Sequence, residues 1–395
     1  MISAVILLIP LTTAITDGEM ELLLVHGVWR HGDRSPTTTF PTDPIQEGDW
    51  TFGGGGFGQL SPEGMAQHLR FGKLLREFYV DTRFLNRKYS SKEIHIRSTD
   101  VNRTIISAMS NMLGMYGQND NSSQAGVDYP KKEGWPAGYV PIPVHIVDYY
   151  TDHIGNPDAE CKRKSLLWQM QIYKNETLRA KNKWFTDDLF SNITNVNNQI
   201  ALYQSGIFNE TLMMNNLNIG LEIQKVRGGS LFNEINSRMN AKLDCANRNS
   251  SECNWIKALK YYVYSAHDTT VYAFLSVMGI EERVVLPGGY PAYSAGAFVE
   301  LWMNTTDNQP YFKLLYHKNE KKRSDTLNSI THFIGACGKA AEYCKLNIFR
   351  NFAALTKPDE PIETWCNVDP RKSSPPSWTL STIALIILSS LRLNA

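Results

Sequence analysis

The sequence predicts an α/β protein, with a central, mostly parallel sheet flanked by helices and a smaller, mostly helical insert. Three observations carry this reading. The apolar run Glu21 to Trp29 ends in the polar cluster Arg30 to Ser35, and a helix signal follows it. A second apolar run, Leu259 to Tyr264, ends in Ser265-Ala266-His267-Asp268-Thr269-Thr270 and leads into the helical stretch Val271 to Met278. Residues 155–255, by contrast, carry helical patches and no strong strand signal. Continuous apolar runs suit strands covered on both faces, as parallel strands are.

After the first strand, Gly53 to Gly56 reads as a flexible loop, because a phosphate cradle would require a following Lys-Ser/Thr pair. Ser61-Pro62-Glu63 offers a helix cap with proline at the first helical position. Met65, Leu69, Gly72, Leu75 and Phe78 then fall on one stripe, and the helix is expected to end near Asp81. Glu93 to Ser98 alternates Ile94 and Ile96 with His95 and Arg97, the pattern of a strand. Thr99 or Asp100 is expected to cap the next helix, with Ile105, Met109 and Met112 on its inner face. Ser165 to Tyr173 and Gly220 to Met239 supply the helical patches of the insert. Ala297 to Met303 and Tyr311 to His317 predict a hairpin across a turn holding Asn304, Asp307 and Asn308.

With 395 residues the chain can bury a large core, and 40 Lys plus Arg against 39 Asp plus Glu leave no overall field to recruit nucleic acid. Residues 1–16 read as a signal peptide, residues 367–377 as a linker, and residues 378–395 as a hydrophobic membrane anchor or a GPI signal. Six cysteines, Cys161, Cys245, Cys253, Cys337, Cys344 and Cys366, suit an oxidising compartment and are compatible with disulfides. Their local gaps are wider than the ~2 to 4 residues of a zinc knuckle, which tells against zinc; neither a metal nor a cofactor is expected. Seven Asn-x-Ser/Thr sequons agree with a secretory route to an extracellular or lumenal location.

Three strand ends thus offer Arg30, His31 and Arg34; Arg103, early in a helix; and His267 with Asp268. In an open α/β sheet these ends share one crevice. Guanidinium forks match phosphate oxygens and stay charged, so the set suits a dianion. Arg97, His145, His26 and His68 are assigned to packing.

The run Arg30-His31-Gly32-Asp33-Arg34-Ser35-Pro36 resembles the signature of the histidine acid phosphatases, a branch of the histidine phosphatase superfamily. Further matches to the prostatic and lysosomal type enzymes run through Ile96-Arg97-Ser98-Thr99-Asp100-Val101, Arg103-Thr104, Pro141 to His145 and Tyr264 to Thr270. The resemblance covers roughly residues 20 to 366. It implies that His31 is the nucleophile and Asp268 the proton donor, that Arg30, Arg34, Arg103 and His267 hold the phosphate, and that Asp33 orients the first motif. It implies one phosphatase domain, with core residues 20–150 and 256–366 around an insert at 151–255, acting on small phosphate monoesters. It also suggests a homodimer and the pairs Cys161 to Cys366 and Cys337 to Cys344. Cys245 to Cys253 is inferred as a local bridge, because Tyr293-Ser294-Ala295 offers no cysteine where the prostatic type has a long-range partner. Phytases share both motifs but typically have Asn at the position of Thr270, which favours the general enzyme. A non-catalytic phosphate-binding ectodomain would be expected to have lost the nucleophile or the acid, and both are present. The sequon at Asn102 lies beside the expected site and is expected to stay unglycosylated.

Overall fold

In the computed structural model the strands, in chain order, are β1 (Met20–Arg30), β2 (Ile94–Thr99), β3 (His145–Val147), the hairpin β4 (Met213–Met214) and β5 (Leu217–Asn218), β6 (Tyr261–Ala266), β7 (Gly296–Asn304), β8 (Pro310–His317), β9 (Leu327–Ser329) and β10 (Cys344–Lys345). The helices are α1 (Pro62–Leu75), α2 (Asn102–Tyr116), α3 (Lys162–Lys174), α4 (Ile219–Gln224), α5 (Ser230–Cys245), α6 (Asn254–Ala258), α7 (Asp268–Val277), α8 (Glu281–Val285), α9 (Leu346–Thr356) and α10 (Ile362–Trp365). The structure describes residues 19–117, 119–174, 198–285, 289–319 and 326–371. The expected signal peptide and the hydrophobic tail at 378–395 lie outside the described residues. Among the described residues no helix is long and apolar enough to cross a membrane.

The main sheet runs β10-β8-β7-β1-β6-β2-β3, with β9 on β8. Its central strands β1, β6, β2 and β3 are parallel, while β7, β8, β9 and β10 add an antiparallel half. β1 alternates between two cores. Val25 and Trp29 enter the layer built with α1 and α2, whereas Leu24 and Val28 enter the layer built with α5, α7 and α9. Trp29 is fully buried against Phe71 and Phe298, and its indole N–H donates to Ser265 Oγ at 2.9 Å, which locks β1 to β6.

Two helix faces depart from the apolar stripes expected. In α1 the buried residues include Gln67, His68, Phe71, Gly72, Leu74 and Leu75, with Phe78 beyond it 39% exposed. In α2 they include Thr104, Ser107, Ala108, Asn111, Met112 and Met115, with Met109 51% exposed. Inward polar groups explain both shifts: Gln67 Oε1 accepts from the Asp33 N–H at 2.9 Å, and Ser107 Oγ accepts from the Gly32 N–H at 3.1 Å. The helices then touch backbone to backbone, since a Cβ on Gly72 would lie 2.0 Å from the Asn111 carbonyl oxygen.

Ser61 does cap α1, accepting from the Gly64 N–H at 3.0 Å, and the helix widens into a π turn over Arg76–Val80 before ending at Asp81. The cap of α2 is Val101, with no side-chain bond, in place of the expected Thr99 or Asp100. Thr99 is spent elsewhere, facing Thr104 Oγ1 and His267 Nε2 at 3.0 Å each.

Between β3 and β6 the regular elements among the described residues are helices, apart from the β4–β5 hairpin. Disulfides join Cys161 to Cys366, Cys245 to Cys253 and Cys337 to Cys344. Such bonds persist in oxidising surroundings, which fits a secreted or lumenal protein. Among the sequons, Asn304 is buried with Oδ1 accepting from Thr306 and Asp307 N–H groups, while Asn102, Asn209 and Asn249 are exposed.

Candidate active site

The carboxyl ends of β1, β6 and β2 lie side by side, so the polar residues that follow them meet above one edge of the sheet. β1 ends at Arg30 and delivers His31. β6 ends at Ala266 and delivers His267, with Asp268 as the first residue of α7. β2 ends at Thr99, and Arg103 sits in the first turn of α2. A helix N-terminus presents N–H groups with no partner inside the helix, so α2 and α7 both turn their positive ends toward this edge.

The His31 and His267 rings are edge-on with centres 5.7 Å apart, and both residues are buried. Nδ1 of His31 lies 2.8 Å from the Gly32 carbonyl oxygen. A carbonyl only accepts, so this contact assigns the proton to Nδ1 and leaves the lone pair on Nε2. Burial, then His267 and the Arg103 cation, hold the His31 imidazole well below the usual histidine range. His267 is pushed down to about 4, first by burial and then by Arg103. Burial therefore disfavours the charged form of both rings.

Arg30 is gripped from three sides. Its Nη2 meets Asp268 Oδ2 at 2.9 Å, its Nη1 donates to the Pro291 carbonyl at 2.7 Å, and its guanidinium carbon lies 4.1 Å from the centre of the Tyr293 ring. Arg34 Nη1 donates to the Ser35 carbonyl at 2.8 Å. Arg103 lies within electrostatic reach of His31, His267, Arg30, Arg34 and Asp268. Burial, then the Arg34 cation, press its guanidinium below the ordinary arginine value. The Nε atoms of Arg30, Arg34 and Arg103 are buried and meet no acceptor among the described residues.

Asp33 faces a different task. Its Oδ2 accepts from Ser61 Oγ at 2.6 Å and its N–H donates to Gln67, which ties the motif to the start of α1. Gly32 is required at this crossing, because a Cβ there would sit 2.3 Å from the Gly64 carbonyl oxygen.

Arg97 and His145 stand apart from this cluster. Arg97 pairs with Asp152 and Glu234, and the His145 ring stacks 4.5 Å from that of His95. Buried His68 packs by Trp29 and Phe71 with Nε2 3.0 Å from the Arg30 carbonyl oxygen. Sequence reasoning did not single out Tyr149, whose ring is edge-on to His267 at 6.2 Å, or Tyr293, whose ring centre is 5.8 Å from that of His31. Tyr149 follows the three-residue strand β3 and Tyr293 lies in a turn before β7, so neither sits at the end of a long apolar run. The segment Tyr293-Ser294-Ala295 is a turn leading into β7.

This chain belongs to the histidine phosphatase superfamily (branch 2), whose family model matches residues 21–164 and 155–317. Among its relatives is a Caenorhabditis elegans protein named "Putative acid phosphatase 10", 32% identical over 89% of this chain and 95% of the relative. The prostatic acid phosphatase of Rattus norvegicus is 32% identical over 79% of this chain and 83% of its own length. A solved phytase from Citrobacter braakii shares the fold, with a TM-score of 0.52 at 16% identity over 88% of this chain and 100% of that one.

Proposed function

We propose that this chain is an acid phosphatase that hydrolyses phosphate monoesters through a phosphohistidine on His31. The single observation that carries the reading is the placement of His31, its Nδ1 against the Gly32 carbonyl, beside Arg30 and Arg103 at the ends of parallel strands. Membership of the histidine phosphatase superfamily and the acid phosphatase names of its relatives support it.

The chemistry divides one displacement into two. Nε2 of His31 attacks phosphorus, forming the P–N bond as the bond to the ester oxygen breaks. Asp268, protonated beside the bound phosphate dianion, gives that proton to the leaving oxygen. Water then attacks the phosphorus, the P–N bond breaks, and the proton released by the water returns to Asp268. Arg30, Arg34 and Arg103 would hold the phosphoryl oxygens and spread their charge, which is the main demand of phosphoryl transfer. His267 would donate to an oxygen from Nε2 in competition with Thr99. Asp33 acts on the motif through Ser61 and Gln67. Attachment through residues 378–395 and a homodimer belong to this proposal as well, the first from the tail sequence and the second from the family.

The test is hydrolysis of an aryl phosphate and an alkyl phosphate at mildly acidic pH with chelator present. His31→Ala is expected to lose activity on both, and Asp268→Ala to lose far more on the alkyl ester, whose oxygen needs the proton. Wild-type activity in the His31→Ala chain would remove His31 from the reaction, and equal losses on both esters would remove Asp268 as the donor.

A further inference from the structure

Tyr293 lies outside every motif that points to the site, yet the backbone is bent to bring it there. The turn that carries it leads into β7 and folds over the end of β1. The Arg30 N–H donates to the Ala295 carbonyl at 2.9 Å, and the Ser294 N–H donates to the His31 carbonyl at 3.1 Å. Ser294 is fully buried and takes a φ of 60°, a left-handed conformation uncommon for residues other than glycine. Such conformations persist only where the surroundings impose them. Here the Ser294 carbonyl oxygen is also held 3.0 Å from His317 Nδ1.

The reversal returns the Tyr293 ring to the site, 4.1 Å from the Arg30 guanidinium carbon and 5.8 Å from the centre of the His31 ring. The same turn supplies the Pro291 carbonyl that takes Arg30 Nη1. An arginine side chain is long and rotatable, but a bidentate grip on an oxyanion needs its plane fixed. The face of an aromatic ring attracts the guanidinium from above and fixes that plane.

We infer that Tyr293 is a positioning residue for the phosphate pocket: its ring holds the Arg30 guanidinium in the plane from which it meets both the phosphoryl oxygens and Asp268. This rests on the phosphatase reading of the site. The ring is the working part, and the hydroxyl is not.

The experiment measures the affinity for inorganic phosphate by calorimetry and kcat/KM on an aryl phosphate, in the wild type, Tyr293→Phe, Tyr293→Met, Arg30→Lys and the double variant Arg30→Lys with Tyr293→Met. Tyr293→Phe is expected to stay within about twofold of wild type. Tyr293→Met is expected to weaken phosphate binding and lower kcat/KM by about tenfold or more, the scale of a small misplacement of a binding group. In the Arg30→Lys background the same change is expected to cost no more than about twofold, because the group that the ring positions is already gone. Equal losses in both backgrounds, or unchanged phosphate affinity in Tyr293→Met, would overturn the role. Tyr293→Leu replaces Tyr293→Met if the latter does not fold, and is read in the same way. A wild type that binds phosphate but hydrolyses no ester would overturn the phosphatase reading alone, since the affinity comparison stands without catalysis.

Discussion

Two clusters of basic side chains in this protein, one buried and one half-buried, are built on opposite plans. Beside the Cys161–Cys366 disulfide, Arg163 is fully buried, contacts the Glu222 carboxylate and stacks 3.9 Å from the Trp365 ring. Lys225 there meets Glu222 at 3.0 Å and Asp359 at 2.9 Å. Each cation has a carboxylate, and the cluster is neutralised by the fold itself. At the ends of β1, β6 and β2, by contrast, Arg30 pairs with Asp268, Arg103 lies within electrostatic reach of the same carboxylate, and among the described residues Arg34 and Arg103 form no ion pair, because Asp33 is turned to Ser61. Buried positive charge that folding leaves without a counterion identifies a place for an anion, whereas a compensated cluster identifies architecture.

The contrast can be broken at either end. The largest expected effect is on stability: Glu222→Ala strands Arg163 and Lys225 and should destabilise the fold by about 3 to 5 kcal/mol. The folded fraction should keep its kcat within about twofold, as urea unfolding combined with kinetics would read. Arg103→Ala should do the reverse. Removing one preorganised cation from the transition state should cost about 10² to 10³ in kcat/KM. Its melting temperature should hold or rise, since a cation pressed by Arg34 and Arg30 has been removed. A marked loss of stability in Arg103→Ala would show that the site's cations are structural.

A further effect, of pH rather than of substitution, follows from the histidines. His26, His31, His68 and His267 are buried, and burial lowers each below the ordinary value of 6.5, His68 to about 3 and His267 to about 4. A depressed histidine means that the unfolded chain binds the proton first as pH falls. Each such group therefore contributes stability that is complete above about pH 6.5 and is lost on acidification toward its folded pKa. Urea midpoints should fall from pH 7 toward pH 4.5, and a flat profile would contradict the burial of neutral rings.

Much of this organisation is legible in the residues. The apolar runs before Arg30 and His267 identify buried parallel strands, and Ser61-Pro62 identifies the start of α1, because strand burial and helix caps are local chemistry. The helix faces were less legible: apolar periodicity does not register Gln67, Ser107 and Asn111, whose inward amides and hydroxyl are placed by tertiary packing. Val101 could not be read as the cap of α2 for a related reason, since Thr99 is taken by a contact with His267 more than 160 residues away, at a separation of 168. Tyr293 was invisible as a site residue. Its place depends on a left-handed Ser294 imposed by His31 and His317, and no pattern in the turn's own sequence encodes that.

The central claim is that the imidazole of His31 takes the phosphoryl group. The most direct measurement mixes enzyme with an aryl phosphate, quenches within one turnover under conditions that preserve phosphoramidates, and locates the modified residue by peptide mass spectrometry. The phosphoryl group is expected on His31, accumulating further in Asp268→Ala if that carboxylate also accepts the proton from the attacking water. Turnover with no modified peptide, or with the phosphoryl group on another residue, would contradict it.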